Sequence, residues 1–226
     1  MEVSKKNEFV EIKFTGYSNG AVFDSNIEEE VKKLNPEGKV MPMVIAVGQG
    51  MVIPGFDRAI EGKEIGKQYE IDIAPKDGFG MRDRSLIKTI PLKVFSEKNI
   101  NPQAGMVLTM DNSVAKIVAV SGARVITDFN NPLAGKDLKY KFTIVKKVTD
   151  ENEKARSLLS FNLGFVPDFE IKEDVIVKGP GILKPYVETI KDKFKELMGK
   201  NIRFEMIEYK KGENKETVEN KTNESK

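Results

Sequence analysis

Two absences bound the chemistry open to this chain. Its 226 residues include no histidine and no cysteine. That removes the commonest general base, a Ser-His-Asp triad, imidazole zinc sites, thiolate nucleophiles and disulfides. No D-x-[DN]-x-[DN]-G loop appears either, so the expectation is no metal and no cofactor. What remains is a carboxylate, or an environment that acts without a reacting side chain. Asp24 is a carboxylate next to an aromatic, Phe23, although its place before Ser25-Asn26 suits a turn or cap equally well. Phe23, Phe56 and Tyr140, taken one at a time, read as ordinary core residues. Only their joint arrangement can say more.

Composition narrows the classes. Hydrophobic residues are 39% of the chain and charged residues 32%, which supports a real core in a charge-rich protein. Lys and Arg total 37 against 35 Asp and Glu, a net charge of +2, so a nucleic-acid partner is not expected. No run approaches the roughly 18 apolar residues of a membrane helix. The start, Met1 to Glu8, is charged and lacks an apolar signal core. These features predict a soluble, cytoplasmic protein with no membrane partner.

The elements that must position any site follow from periodicity. In 9–15, Val10, Ile12 and Phe14 alternate with Glu11, Lys13 and Thr15, a half-buried strand. Ser18-Asn19-Gly20 is a turn, and Val22-Phe23 resumes an extended run. Ser25 or Asn26 can cap a short helix supported by Glu28/Lys32 and Glu29/Lys33 pairs. Val44–Val47 reads as a strand, 54–60 as a short helix stopped by Gly62, and Tyr69, Ile71 and Ile73 as another alternating strand. Between 84 and 129, short β-prone runs are separated by hairpin turns at 111–113 and 121–122. Leu138, Tyr140, Phe142 and Ile144 then alternate with polar residues, as the partner of the earlier strands. Asp150–Glu153 resembles a capping box that opens a helix ending at Gly164. Residues 169–178 are strand-like, Pro185 opens a helix with Val187, Ile190, Phe194 and Leu197 on one face, and Ile202, Phe204 and Met206 close with a strand.

Four segments carry a family resemblance. They are Gly16-Tyr17-Ser18-Asn19-Gly20-Ala21-Val22-Phe23-Asp24-Ser25, Val47-Gly48-Gln49-Gly50-Met51-Val52-Ile53-Pro54-Gly55-Phe56, Ala74-Pro75-Lys76-Asp77-Gly78-Phe79-Gly80, and Asn130-Asn131-Pro132-Leu133-Ala134-Gly135-Lys136-Asp137-Leu138-Lys139-Tyr140. In order and spacing they resemble FKBP-type peptidyl-prolyl cis/trans isomerases, in the SlyD-like branch with an insert-in-flap chaperone domain. The C-terminal unit resembles the extension of long archaeal-type members.

The resemblance implies an α+β protein: an FKBP-like antiparallel sheet wrapped on a short helix, an inserted small β-rich domain, and a C-terminal α+β domain. The implied domains are 1–83 with 130–150, 84–129, 151–210, and a disordered tail at 211–226. It further implies an isomerase of X-Pro bonds in unfolded or folding proteins. Tyr17, Phe23, Asp24, Val52, Ile53, Phe56, Phe79, Leu133 and Tyr140 would form the catalytic pocket, and Met43 would serve as a softer wall. Phe56 would be the floor, the Ile53 N–H would hold a substrate carbonyl, and Asp24 would meet Tyr17 or the twisted amide. Phe79 lacks the hydroxyl usual at its position. Asn131 replaces the histidine of the SlyD return strand, which removes support for a nickel role.

The insert carries more Met-containing apolar surface than about 50 residues easily hide. Leu86, Ile90, Val94, Phe95, Met106 and Leu108 are therefore expected to bind unfolded client segments. The alternative is a holdase chaperone with a weak or inactive pocket. A homodimer through the C-terminal unit is a further expectation.

Overall fold

The structure is a computed structural model, and it describes residues 2–110 and 113–207. In chain order the elements are β1 (Phe9–Ser18), β2 (Ala21–Ser25), α1 (Glu28–Leu34), β3 (Met43–Ala46), α2 (Pro54–Ile60), β4 (Gln68–Ile73), β5 (Ile87–Pro91), α3 (Leu92–Ser96), β6 (Val107–Met110), β7 (Ser113–Ser121), β8 (Arg124–Asp128), β9 (Leu138–Lys147), α4 (Glu151–Leu163), β10 (Asp168–Ile171), β11 (Val175–Gly179), α5 (Lys184–Thr189), α6 (Lys191–Met198) and β12 (Ile202–Met206). The mixture is α+β, as the sequence predicts.

The largest sheet runs β2-β1-β9-β4, with β3 also paired to β1, and all its pairings are antiparallel. Period-2 alternation makes it amphipathic. Val10, Ile12 and Phe14 of β1 and Leu138, Tyr140, Phe142 and Ile144 of β9 are buried in one cluster, together with Phe56 and Ile60 of α2. Pro54 starts that helix at a position where its missing N–H costs nothing. The fully buried Phe56 ring contributes about 2–3 kcal/mol by removal from water.

Three local expectations change. Thr15, read as solvent-facing, is 2% exposed, and its hydroxyl meets that of Ser25 at 3.0 Å. Asn26 does not cap α1: its amide accepts from Phe14 N and donates to Ile12 O, both at 2.7 Å, extending the pairing of β1 with a side chain. The N-cap of α1 is Ile27, without a side-chain cap. Lys32 pairs with Glu28 as predicted, but Lys33 pairs with Glu30.

Among the described residues, the strands of 84–129 pair only with one another, in the sheet β5-β8-β7-β6. Its core is Phe95, Met110, Ala115, Ile117 and Val125. The sequence reading missed α3, a five-residue helix begun after Pro91. The two strands that connect this sheet to the larger one are clasped side by side. Arg82 forms an ion pair with Asp128, and Asn130 accepts from Asp83 N at 2.8 Å while donating to Asp83 O at 2.9 Å.

The remaining residues form a sheet β10-β11-β12, antiparallel at the first pairing and parallel at the second. The stretch 169–178 is thus a hairpin and not one strand. Of the expected capping box one half is present, the Asp150 carboxylate accepting from Glu153 N at 2.8 Å, while the Glu153 carboxylate pairs with Lys146 at 3.4 Å; Gly164 ends α4 at φ 79°. The helix expected after Pro185 is broken at Ile190 into α5 and α6. Its apolar face nevertheless packs as predicted: Val187, Ile190 and Phe194 are buried with Leu158 and Leu159. The same cluster includes Phe9, Ala46 and Val148, and Ser157 of α4 donates to Val44 O of β3 at 2.6 Å, so α4 is fixed against the large sheet. The tail expected at 211–226 lies outside the described residues. Among the described residues, no helix is long and apolar enough to cross a membrane.

Candidate active site

The site is built where β1, β9 and α2 meet. Phe56 stacks on Tyr140 with ring centroids 4.6 Å apart and meets Phe142 edge-on at 5.1 Å. Phe14 closes the group, 5.9 Å from both Phe56 and Tyr140. Phe23 of β2 stands edge-on to Tyr140 at 5.8 Å and to Phe79 at 6.1 Å. Such offset and edge geometries are those aromatic quadrupoles favour. Phe56 and Tyr140 are almost wholly buried, whereas Phe23, Met43, Val52, Ile53, Phe79 and Leu133 are half-buried and pack against the core cluster that contains them. The arrangement is a floor of buried rings with a partly open apolar rim.

Backbone geometry explains the motifs. A Cβ on Gly16 would lie 2.7 Å from Phe23 Cζ and 3.2 Å from Tyr140 Cε1, so the rings require a glycine there. A Cβ on Gly55 would lie 2.6 Å from Ile73 Cγ2, so α2 can seat only without one. The buried Asp57 accepts from Gly48 N at 2.9 Å and Gly50 N at 2.8 Å, pinning the loop before Val52 and Ile53. Gly135 N donates to Gly80 O at 2.8 Å, which brings the Phe79 and Leu133 turns together. The Ile53 N–H has no acceptor among the described residues, although the Ile53 carbonyl takes Phe56 N and Asp57 N at 3.0 Å.

Asp24 sits exposed on the strand that carries Phe23. Desolvation raises its carboxyl above the usual carboxylate range, with the Ser25 backbone N–H pulling the other way. Burial holds the Tyr140 hydroxyl well above its ordinary value, and the negative charge of Asp24 adds to the effect. The two groups therefore feel each other across the rim.

Tyr17 is not brought to this cluster. It pairs with Lys139, on the face opposite Tyr140, and Lys141 Nζ lies 5.7 Å from its ring centre. No hydrogen bond joins Asp24 to Tyr17 among the described residues; the negative charge of Asp24 acts on the Tyr140 hydroxyl, secondary to burial. Phe14 occupies the inner position instead, and the sequence reading left it out of the site. The signal was present, because Phe14 shares the parity of Ile12 and Gly16, whereas Tyr17 has the other parity. Among the insert residues, Phe95 is 1% exposed and forms the insert's own core, so it offers no surface. Ile90, Met106 and Leu108 are half-buried against that core, Val94 is half-buried, and Leu86 is exposed. The large apolar side chains most open to solvent there are Val107, Val114 and Val118, none of them among the six residues expected to bind clients.

A cluster of aromatic rings with an apolar rim and an open N–H is suited to holding an apolar group without covalent chemistry, and comparison with known proteins gives the family. The FKBP-type peptidyl-prolyl cis-trans isomerase family matches residues 2–106, and the FKBP26 IF domain matches residues 88–133. A short-type peptidyl-prolyl cis-trans isomerase of Methanocaldococcus jannaschii is 36% identical over 143 residues, 62% of this chain and 91% of that one. The FKBP-type isomerase SlyD of Helicobacter pylori is 28% identical over 158 residues, 67% of this chain and 78% of that one. SlyD of Escherichia coli is 29% identical over 116 residues, 49% of this chain and 59% of that one. The chain belongs to the FKBP-type peptidyl-prolyl cis-trans isomerase family.

Proposed function

We propose that the protein accelerates cis/trans isomerisation of X-Pro bonds in unfolded or folding polypeptides, with the proline ring seated over Phe56 and Tyr140. The half-open apolar rim of Phe23, Met43, Val52, Ile53, Phe79 and Leu133 around that stack carries the reading. Rotation about the bond breaks amide resonance, a barrier of about 18–20 kcal/mol. The planar amide is more polar than the twisted one, so a dry aromatic bowl stabilises the twisted form relative to water. Each 1.4 kcal/mol of that difference is about tenfold in rate. In this reading Ile53 N–H holds a substrate carbonyl, and the Asp24 carboxyl faces the twisted amide's dipole. Phe79 supplies no hydroxyl, a loss of about 1 kcal/mol in binding.

The same reading divides the chain into an isomerase domain (1–83 with 130–150), an inserted domain (84–129) and a C-terminal unit from 151. The insert supplies a chaperone surface. Its solvent-facing Val107 and Val114, on the edge strand β6 and its neighbour β7, suit an extended client added beside that edge. Binding there raises the local concentration of prolines at the bowl. A homodimer through the C-terminal unit is supported by Ile182, Tyr186 and Met206, all more than half exposed beside the edge strand β12.

Deleting 84–129 tests the division of labour. Isomerisation of a short peptide should persist, and catalysis of proline-limited refolding should fall sharply. Equal losses on both substrates, with the bowl still folded, would refute it. Suppressed aggregation by the full chain without faster refolding would favour the holdase reading.

A further inference from the structure

A second cleft, of about 540 Å³, lies between β3 and α4. Met41, Met43, Val44 and Met51 line it from the large sheet's side, and Phe161 and Val166 line it from α4 and the turn that follows. Met41 is 75% exposed, Phe161 43% and Val166 39%, so three large apolar side chains around one groove stay open to water. The charges at the groove are already engaged. Lys146 pairs with Glu11 and with Glu153, each at 3.4 Å, and the Arg156 guanidinium lies over the Phe169 ring at 5.4 Å. What the cleft offers a ligand is therefore mainly apolar contact, much of it through adaptable thioether side chains.

Two observations point to its occupant. First, Met43 and Met51 pack against the buried cluster that holds the bowl's rings and also line this cleft, so the two sites share these side chains. Second, the register of β3 on β1 turns both backbone groups of Val44 away from β1. Its carbonyl takes the Ser157 hydroxyl at 2.6 Å, and its N–H, on the same side of the strand, has no acceptor among the described residues. An extended chain laid there finds apolar walls and a backbone donor, which are the elements of strand-like peptide recognition.

We propose that the β3–α4 cleft is an accessory subsite that holds the apolar residues flanking the proline of a long polypeptide substrate. The proposal rests on the bowl being the proline site, and it makes the C-terminal unit part of substrate recognition. A tetrapeptide has too few residues beside its proline to fill both the bowl and the cleft, whereas an unfolded protein has many.

Because the chain has no cysteine, Ser160→Cys gives a single attachment point on the exposed face of α4 beside the cleft. With a photo-crosslinking maleimide on that residue of the full chain, a twelve-residue peptide with apolar flanks around its X-Pro core should be trapped. A tetrapeptide with the same core should not be. Absence of the long-peptide adduct would overturn the proposal, as would self-adducts between copies in the absence of peptide, which would assign the groove to a second copy of the chain. In a second measurement, Phe161→Glu combined with Met41→Glu should lower kcat/KM for the long peptide about tenfold, the scale of losing anchors from an apolar groove. The tetrapeptide value should stay within about twofold. Equal losses on both peptides, or none on either, would contradict it. If the unaltered protein turns over neither peptide, the isomerase reading fails, and the crosslink still judges the cleft on its own.

Discussion

Gly16→Ala places one methyl group against the wall of the bowl. The new Cβ would stand 2.7 Å from Phe23 Cζ, 3.0 Å from Phe23 Cε1 and 3.2 Å from Tyr140 Cε1. Carbon atoms rest at about 3.5–4.0 Å, so a ring must retreat by about 1 Å. Tyr140 is 4% exposed and stacked on Phe56, which leaves the half-buried Phe23 to move. Overpacking of this kind costs about 1–3 kcal/mol, and replacing a strand glycine returns about 0.5–1 kcal/mol, so net destabilisation should be about 0–2.5 kcal/mol. The effect on catalysis should be larger in proportion, because a 1 Å misplacement of a site group costs up to about 100-fold. We expect a folded protein by urea denaturation with kcat/KM on a tetrapeptide reduced about 10- to 100-fold. In a double-mutant cycle with Phe23→Leu, the Gly16→Ala loss should largely disappear, since the displaced ring is gone. Full activity in the alanine variant, or a loss that persists unchanged in the Phe23→Leu background, would refute the assignment of Phe23 as a wall.

Three further outcomes follow from the same geometry. Phe56→Ala removes a 1%-exposed ring beneath the bowl and should cost about 3–5 kcal/mol in denaturation midpoint analysis, with activity lost alongside. Asp24→Asn should fold normally and lower tetrapeptide activity. Because its folded pKa is raised, the contribution of the neutral carboxyl is complete below the unfolded value of 3.8 and is lost as pH rises through the folded one. The asparagine variant should therefore gain stability relative to the parent as pH rises above that value. Asp128 titrates in the opposite sense. Burial acts upward on it, but hydrogen bonds from Asn130 and the nearby Arg82 outweigh that and leave its pKa lowered. Its stabilisation is present above 3.8 and lost as pH falls through the folded value, so the stability gap between parent and Asp128→Asn should close in acid.

Much of the fold was legible because one face of each main strand is buried. The alternation of Val10, Ile12 and Phe14 and of Leu138, Tyr140, Phe142 and Ile144 gave β1, β9 and their shared face. The Asp150 cap and the Gly164 stop gave α4. What escaped was set by tertiary contacts. Tyr17 belongs to a recognisable motif, but strand parity places it beside Lys139 and Lys141, and Phe14 takes the inner place. Thr15 is polar, yet the Ser25 hydroxyl satisfies it in a buried position. The five residues of α3 are too few to show a helical period, so Phe95 was read as surface when it fills the insert's core. Ile190 continues the apolar pattern of its neighbours, so nothing in the pattern marks the break between α5 and α6.

The most direct measurement is the rate of cis/trans exchange in a short X-Pro peptide at substoichiometric protein, read by NMR exchange spectroscopy. An isomerase predicts multiple turnovers, a rate that scales with protein concentration, and a marked reduction in the folded Asp24→Asn variant. Exchange no faster than in buffer, from a folded protein that nonetheless binds unfolded chains, would contradict it.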